Sequence, residues 1–154
     1  MTDFDLGQTY DAVVCLFSAI GYVLTVEELN SAIRCMAGHL EPQGVLIVEP
    51  WFTPDVWRAG RPHLVSFEEE NFKISRMNTT EVRGERTSFF QFHYLIGRPE
   101  GVAHFTEDIE LALFAKAEML DAFRNAGLEP EFDESGVFGR GLYFARKGTI
   151  ATGH

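Results

Sequence analysis

The sequence predicts an α/β fold in which a partly parallel sheet is interrupted by an antiparallel meander. Two uninterrupted apolar runs, at 12–17 and 45–48, flank a helical pattern of apolar residues. Apolar and polar residues then alternate with a period of two between 72 and 114, and a helix–strand–strand pattern follows. A change of period from continuous runs to strict alternation indicates buried parallel strands followed by half-exposed antiparallel ones.

Composition limits the classes of function. The chain has 154 residues, 45% of them hydrophobic, which suits one domain with a proper core. A net charge of −10 argues against a nucleic-acid partner held through its phosphates. No apolar run approaches the length of a membrane span, so no membrane partner is expected. Scattered histidines predict no metal site. Cys15 and Cys35 fall in apolar patterns and are interpreted as buried free thiols in a reducing cytoplasm.

The first element is a predicted strand at 12–17, whose lack of alternation is typical of a strand covered on both faces. Thr25 and Glu28 then form the T-x-x-E pattern of a capping box, and apolar residues recur at helical spacing up to Leu40. Turn residues at 41–44 end the helix before a second strand at 45–48. This order predicts a right-handed βαβ unit with parallel strands.

Both predicted strands end in residues suited to a binding site. Phe17, Ser18 and Tyr22 follow the first strand, and Glu49 and Trp51 follow the second. The carboxyl ends of parallel strands meet at one edge of the sheet, where open α/β folds bind ligands. The plainer alternatives are an ordinary loop after the first strand, a solvated carboxylate at Glu49, and a tryptophan that only anchors its loop.

The alternating region predicts three antiparallel strands, beginning at Phe72 and ending at Phe114. We interpret these strands as a layer inserted over the sheet edge at which the first two strands end. Their exposed aromatic residues offer a homodimer surface. An amphipathic helix at 117–126, capped by Gly127, precedes strands at 129–133 and 141–146. Residues 148–154 are expected to form a flexible tail.

Two further residues admit a chemical role. Arg140, between Gly139 and Gly141, can meet an anion, although an exposed arginine in a hairpin turn is the commoner arrangement. His104 shares a strand face with Asp108 and Glu110, which suits proton transfer but is more often a solvated face. The sequence has no phosphate-binding loop and no G-x-G-x-x-G motif.

Several segments together carry a family resemblance: MTDFDLGQTYDAVVCLFSAIGYV, HLEPQGVLIVEPW, HFTEDIELALF, AFRNAGLEPEF and GRGLYFA. In this order and spacing they resemble the carboxy-terminal two-thirds of class I S-adenosylmethionine-dependent methyltransferases. Within that class, LFSAIGY and EPW are most similar to the N,N-dimethyltransferases of nucleotide-linked amino sugars. The resemblance implies a Rossmann-like sheet, with a partial methyltransferase domain at 1–147 and a substrate-side meander inserted at about 66–114.

The same resemblance implies S-adenosyl-L-methionine as cofactor and N-methylation of a small-molecule amine as activity. It also implies a set of site residues. These are Glu49 and Tyr22 for catalysis, Met1, Leu16, Phe17 and Ser18 for the cofactor, and Trp51, His104 and Arg140 for the substrate.

The family's first strand, Gly-rich loop and ribose-binding acid have no counterpart in the sequence. We therefore expect a truncated chain that is inactive alone, binds the cofactor poorly and self-associates through its uncovered first strand. One alternative is a non-catalytic remnant of the same fold that pairs with another chain. Another is a methyltransferase for a different small-molecule acceptor, since the motifs around Phe17 and Gly44 do not report the substrate.

Overall fold

A computed structural model describes residues 1–148 of the chain. The elements in chain order are β1 Tyr10–Cys15, a 3₁₀ turn Ala19–Tyr22, α1 Val26–Gly38, β2 Leu40–Val48, β3 His63–Glu69, β4 Phe72–Arg83, β5 Thr87–Arg98, β6 Gly101–Ala112, α2 Lys116–Asn125, β7 Glu129–Asp133 and β8 Leu142–Arg146. The tail predicted for 148–154 lies, apart from Gly148, outside the described residues.

The first sheet contains four strands in the order β1-β2-β8-β7. Strands β1 and β2 are parallel, with Val13 opposite Leu46 and Cys15 opposite Val48. Strand β8 is antiparallel to both of its neighbours. The predicted α/β fold, with a parallel pair and a reversed final strand, is therefore confirmed.

Helix α1 begins at the predicted capping box. The hydroxyl of Thr25 accepts a hydrogen bond from the Glu28 backbone N–H at 3.1 Å, and the Glu28 carboxylate accepts from the Thr25 N–H at 3.2 Å. These contacts satisfy backbone donors that the first helical turn leaves without partners. Leu29 and Ile33 are fully buried in the core that α1 shares with α2 and the first sheet.

Strand β1 differs from the sequence prediction in its burial. Only Cys15 is buried in this strand, and the Val14 side chain is 54% exposed. In the described chain β1 is therefore not covered on both faces, and it is an edge strand paired only with β2 among residues 1–148, which agrees with the expectation of an uncovered first strand. The strand also ends at Cys15, so Leu16 and Phe17 lie in the following turn.

The second sheet is an antiparallel meander of four strands, β3-β4-β5-β6. The sequence predicts three of these strands but not β3, in which every residue is exposed. An edge strand without a buried face gives no alternation of apolar and polar residues, so pattern analysis has no signal there. The sheet begins at His63 and ends at Ala112, close to the range predicted for the inserted layer.

The 3₁₀ turn after β1 packs against the second sheet. A Cβ added at Gly21 would lie 3.3 Å from the Cβ atoms of Leu111, in β6, and of Trp51. This close approach places the carboxyl end of β1 beside the end of β6. The structure therefore places the strand-end residues of the first sheet beside one end of the second.

Candidate functional site

The carboxyl ends of β1 and β2 are joined by three hydrogen bonds. The Glu49 N–H donates to the Cys15 carbonyl at 2.8 Å, and the Phe17 N–H donates to Glu49 Oε2 at 2.6 Å. Ser18 Oγ donates to the Pro50 carbonyl at 2.7 Å. The prediction that the two strand ends meet is confirmed.

Phe17 and Ser18 both adopt left-handed backbone conformations, with φ of 54° and 58°. This region is unfavourable for a bulky side chain and needs fixed contacts to persist. The hydrogen bond from Phe17 to Glu49 and the one from Ser18 to Pro50 supply those contacts. As a result, the Phe17 ring projects outward and is 77% exposed.

Glu49 is the buried carboxylate of the site, with a side chain that is 1% exposed. Arg140 Nη2 donates to Glu49 Oε1 at 2.6 Å, and the Arg140 side chain is 19% exposed. The plain alternative of a solvated strand end is therefore wrong for Glu49. One carboxylate oxygen holds the Phe17 turn, while the other holds Arg140.

Arg140 reaches Glu49 because the segment between β7 and β8 turns tightly. Gly136, Gly139 and Gly141 all have positive φ. A Cβ added at Gly141 would lie 2.3 Å from Phe132 Cζ, so this position accepts only glycine. The alternative of an exposed arginine in a hairpin turn is also wrong.

Aromatic rings surround the arginine. The Arg140 guanidinium carbon lies 5.6 Å from the centroid of the Trp51 ring, 5.9 Å from Phe52 and 5.5 Å from Phe138. Cationic groups are attracted to aromatic faces at such distances. The arrangement fixes the guanidinium between the carboxylate and the rings, and Arg140 Nε stays buried without a partner among residues 1–148.

An exposed aromatic cluster lies at the same edge. Phe17 and Phe138 have ring centroids 6.1 Å apart, and Phe138 is 55% exposed. Tyr22 is 58% exposed, and its hydroxyl makes no hydrogen bond within residues 1–148. Leu16 is 38% exposed, whereas Met1, 46% exposed, makes no hydrogen bond or ring contact to the cluster in the described chain.

Trp51 connects the site to the meander through a hydrogen bond. Its Nε1 donates to Ser88 Oγ at 2.9 Å, and the fully buried Ser88 hydroxyl donates to the Leu111 carbonyl at 2.9 Å. The predicted anchoring of the loop by Trp51 is thus present, and its ring also faces Arg140. The substrate-binding role of Trp51 stays a prediction.

His104 is not brought to this site within the described chain. Its ring stacks on His93 at 5.5 Å, with 3.3 Å between the facing nitrogens. His104 is seven residues along β6 from Leu111, which at about 3.3 Å per residue is roughly 23 Å. The structure therefore does not support a shared site for His104 and Glu49 on one chain.

Sequence reasoning missed a cavity of about 480 Å³ on the meander, below the segment that follows β2. It is lined by Trp51, Phe52, Val56, Trp57, Arg58, His63, Val65, Arg76, Asn78, Thr80, Phe90 and Phe92. The available signal was the three aromatic residues Trp51, Phe52 and Trp57 within the short segment 51–58. Without β3, nothing in the sequence indicated that this segment folds over a sheet.

The two cysteines are free, as predicted, but only Cys15 is buried and Cys35 is partly exposed. Burial is the main cause that raises the pKa of the Cys15 thiol, and the nearby Glu49 charge raises it further. Among the described residues, no group of three or more histidine, cysteine or acidic side chains is placed to hold a metal ion. The helices within 1–148 are all too short or too polar to cross a membrane.

The chain is similar to known proteins of the family that its sequence resembles. No protein-family model matches the chain. It is 38% identical over 144 residues to the dTDP-3-amino-3,4,6-trideoxy-alpha-D-glucopyranose N,N-dimethyltransferase of Streptomyces venezuelae, covering 93% of this chain and 60% of that one. It is 36% identical to the dTDP-3-amino-3,6-dideoxy-alpha-D-glucopyranose N,N-dimethyltransferase of Streptomyces fradiae, covering 93% and 56%.

Among solved structures, the chain resembles CalS10, an amino pentose methyltransferase from Micromonospora echinaspora whose structure contains bound S-adenosylmethionine. The TM-score is 0.85 at 35% identity, over 95% of this chain and 61% of that one. The chain thus spans about 60% of the length of the proteins it matches, in agreement with the predicted likeness to two-thirds of the family fold. In sequence and in fold, the chain is similar to the corresponding part of the S-adenosylmethionine-dependent sugar N,N-dimethyltransferases.

Proposed function

We propose that the chain forms the amine-binding side of an S-adenosylmethionine-dependent N-methyltransferase that acts on the amino group of a nucleotide-linked sugar. The observation that carries the proposal is the strand-end turn at Phe17 and Ser18, held by buried Glu49 beside an exposed aromatic cluster. The similarity to dTDP-amino-sugar N,N-dimethyltransferases over 93% of the chain gives the substrate class.

The turn after β1 fits one side of the proposed cofactor. Phe17 offers an exposed ring and Leu16 an exposed aliphatic side chain, at the sheet edge where α/β folds bind ligands. Aromatic faces attract a positively charged group, such as the sulfonium of the cofactor. Leu16, Phe17 and Ser18 would hold that side, together with the predicted Met1. When bound, the cofactor supplies an electrophilic methyl group to an unprotonated amine nitrogen.

Glu49 and Tyr22 have different tasks in this proposal. Glu49 fixes the Phe17 turn and Arg140 at the same time, so it positions the groups around the amine. Tyr22 offers a hydroxyl that is not engaged within residues 1–148 and can accept a hydrogen bond from the amine N–H. The Trp51 ring forms a wall that favours positive charge developing on the nitrogen. Alignment of the amine with the methyl group supplies about 7–11 kcal/mol in well-oriented systems.

The predicted homodimer and cytoplasmic location belong to the same proposal. The second sheet exposes large apolar side chains that suit a surface between copies, among them Leu64, Phe67, Leu95 and Phe105. The free thiols Cys15 and Cys35 are compatible with a reducing compartment.

A chimera tests the activity. The amino-terminal part of the Streptomyces venezuelae relative that precedes the aligned region would be fused before Met1. A dTDP-linked amino sugar and S-adenosylmethionine would then be supplied, and methylated products identified by mass spectrometry. The relative itself, cut and rejoined at the same point, is the positive control. We expect methylation by the chimera and a lower kcat in its Tyr22→Phe variant. An inactive chimera beside an active control would contradict the proposal.

A further inference from the structure

Ser88, on β5, is a buried hydroxyl whose hydrogen bonds have fixed directions. The indole N–H is a donor only, so Ser88 Oγ must accept from Trp51 Nε1, at 2.9 Å. The hydroxyl proton is then directed to the Leu111 carbonyl, also at 2.9 Å. One small side chain therefore joins the segment after β2 to strand β6.

The aromatic rings packed against Trp51 offer its N–H no acceptor. The rings of Phe52, Trp57 and Phe90 lie with their centroids 4.7, 5.5 and 5.8 Å from that of Trp51. Their side chains carry no hydrogen-bond acceptor of the strength of a hydroxyl. A rotation of the Trp51 ring within this cluster would leave the indole N–H without its partner, which costs free energy. The Ser88 hydroxyl therefore selects one orientation of the indole.

The two partners of Ser88 also flank the turn that carries Tyr22. Trp51 and Leu111 both approach Gly21, since a Cβ added there would lie 3.3 Å from the Cβ atom of each. Tyr22 follows Gly21 directly in the same 3₁₀ turn. By holding Trp51 and Leu111 together, Ser88 fixes the space in which this turn packs.

The Trp51 ring also reaches the buried ion pair of the site. The Arg140 guanidinium carbon lies 5.6 Å from the centroid of that ring, and Arg140 holds the Glu49 carboxylate. The indole thus adjoins both the Tyr22 turn and the Glu49–Arg140 pair. Ser88 itself is fully buried, so it acts on this geometry without contact with a substrate.

We propose that Ser88 is a positioning residue for the methyl transfer. It sets the orientation of the Trp51 ring and the packing of the Tyr22 turn, and it does not contact the amine. The inference rests on the proposed function, because Trp51 and Tyr22 face an amine only if that function holds. It gives the meander a part in the geometry of the reaction through one hydroxyl. The position requires a side chain that accepts from an indole and donates to a carbonyl, which threonine also does.

The chain carries a spectroscopic reporter of the contact between Ser88 and Trp51. It has two tryptophans, and Trp57 Nε1 makes no hydrogen bond within residues 1–148, so the hydrogen-bonded indole is that of Trp51. Ultraviolet resonance Raman spectroscopy of the 154-residue chain distinguishes a hydrogen-bonded indole N–H from a free one. We expect Ser88→Ala to remove the hydrogen-bonded signal and Ser88→Thr to keep it. A signal that is unchanged in Ser88→Ala would overturn the proposal.

Kinetics of the chimera that tests the proposed function provide the second measurement. Ser88→Ala should lower kcat by about tenfold, because it disturbs the alignment of the amine with the methyl group. The KM for S-adenosylmethionine should stay within about twofold, since Glu49 and Pro50 hold the turn after β1. Ser88→Thr should restore most of the kcat. Ile33→Val is the control for a general loss of stability, since Ile33 is fully buried in the helix core, and it should leave kcat within about twofold.

A double-mutant cycle isolates the hydrogen bond. Trp51→Phe keeps a ring and removes the N–H that needs an acceptor, so it should lower kcat, and Ser88→Ala added to it should cost less than about twofold more. The double variant has no indole N–H at this position, so it stays informative if Ser88→Ala alone fails to fold. A further loss of about tenfold in the double variant would overturn the proposal. So would an unchanged kcat in Ser88→Ala, or an equal loss in Ile33→Val. Those results in an active chimera remove only this inference, whereas an inactive chimera removes the proposed function and this inference with it.

Discussion

The most informative perturbation is Glu49→Ala, because the Glu49 carboxylate holds both the Phe17 turn and Arg140. The substitution removes the acceptor of the Phe17 N–H and the partner of Arg140, both at 2.6 Å. The arginine would then remain as a largely buried cation, and Phe17 would keep its left-handed backbone without its hydrogen bond. We therefore expect loss of stability as well as loss of the site's geometry.

The size of the expected stability loss in Glu49→Ala follows from the burial of the Glu49–Arg140 ion pair. Breaking a buried ion pair by removing one partner costs about 3–5 kcal/mol, since it leaves an uncompensated charge. The Arg140 side chain is 19% exposed and can partly turn to water, which favours the lower end of that range. The expected loss is therefore about 3 kcal/mol, equivalent to roughly a hundredfold change in the folding equilibrium.

Urea unfolding followed by tryptophan fluorescence would measure this loss, on samples shown by light scattering to contain one species. Glu131→Ala, at an exposed strand position, is the control and should change the unfolding free energy by less than about 0.5 kcal/mol. In a double-mutant cycle, Arg140→Met should rescue part of the Glu49→Ala loss, because no buried charge remains. A loss below about 1 kcal/mol, or additive effects of the two substitutions, would refute the importance of the ion pair.

Three further predictions concern the first sheet. Gly141→Ala should destabilise the protein by at least 1 kcal/mol more than Gly139→Ala in thermal or urea unfolding, because both have positive φ but only Gly141 faces the Phe132 ring; equal losses would argue against that contact. The raised pKa of Cys15 stabilises the folded state fully below the ordinary thiol pKa, and this contribution is lost as pH rises through the raised value. Stability should therefore fall above about pH 8.5, and less so in Cys15→Ala, by unfolding titrations at several pH values. Finally, Val14→Lys on the exposed edge strand should reduce self-association in light scattering, and no change would exclude β1 as the contact.

Much of the first sheet was predictable because its signals are local. The capping box at Thr25, the glycine after α2 and the continuous apolar run of β2 act through neighbouring residues, so the sequence alone locates the elements. The meeting of the two strand ends followed from parallel pairing, which places the residues after Cys15 and Val48 at one edge.

The details of the site were not predictable, because they join distant parts of the chain. Glu49 and Arg140 are 91 residues apart, and nothing in their local sequence indicates a buried pair. The same holds for Trp51 and Ser88, which are 37 residues apart. The meander cavity needs β3, whose fully exposed residues give no periodic signal, and a loop folded over the sheet.

The sequence by itself determined the α/β class, the order of most elements and the edge at which the site lies, since each depends on local periodicity and chain direction. Only the tertiary structure decided which carboxylate is buried and which arginine it holds. The physical reason is that burial and charge pairing are properties of side chains brought together by packing, and packing depends on the whole chain at once.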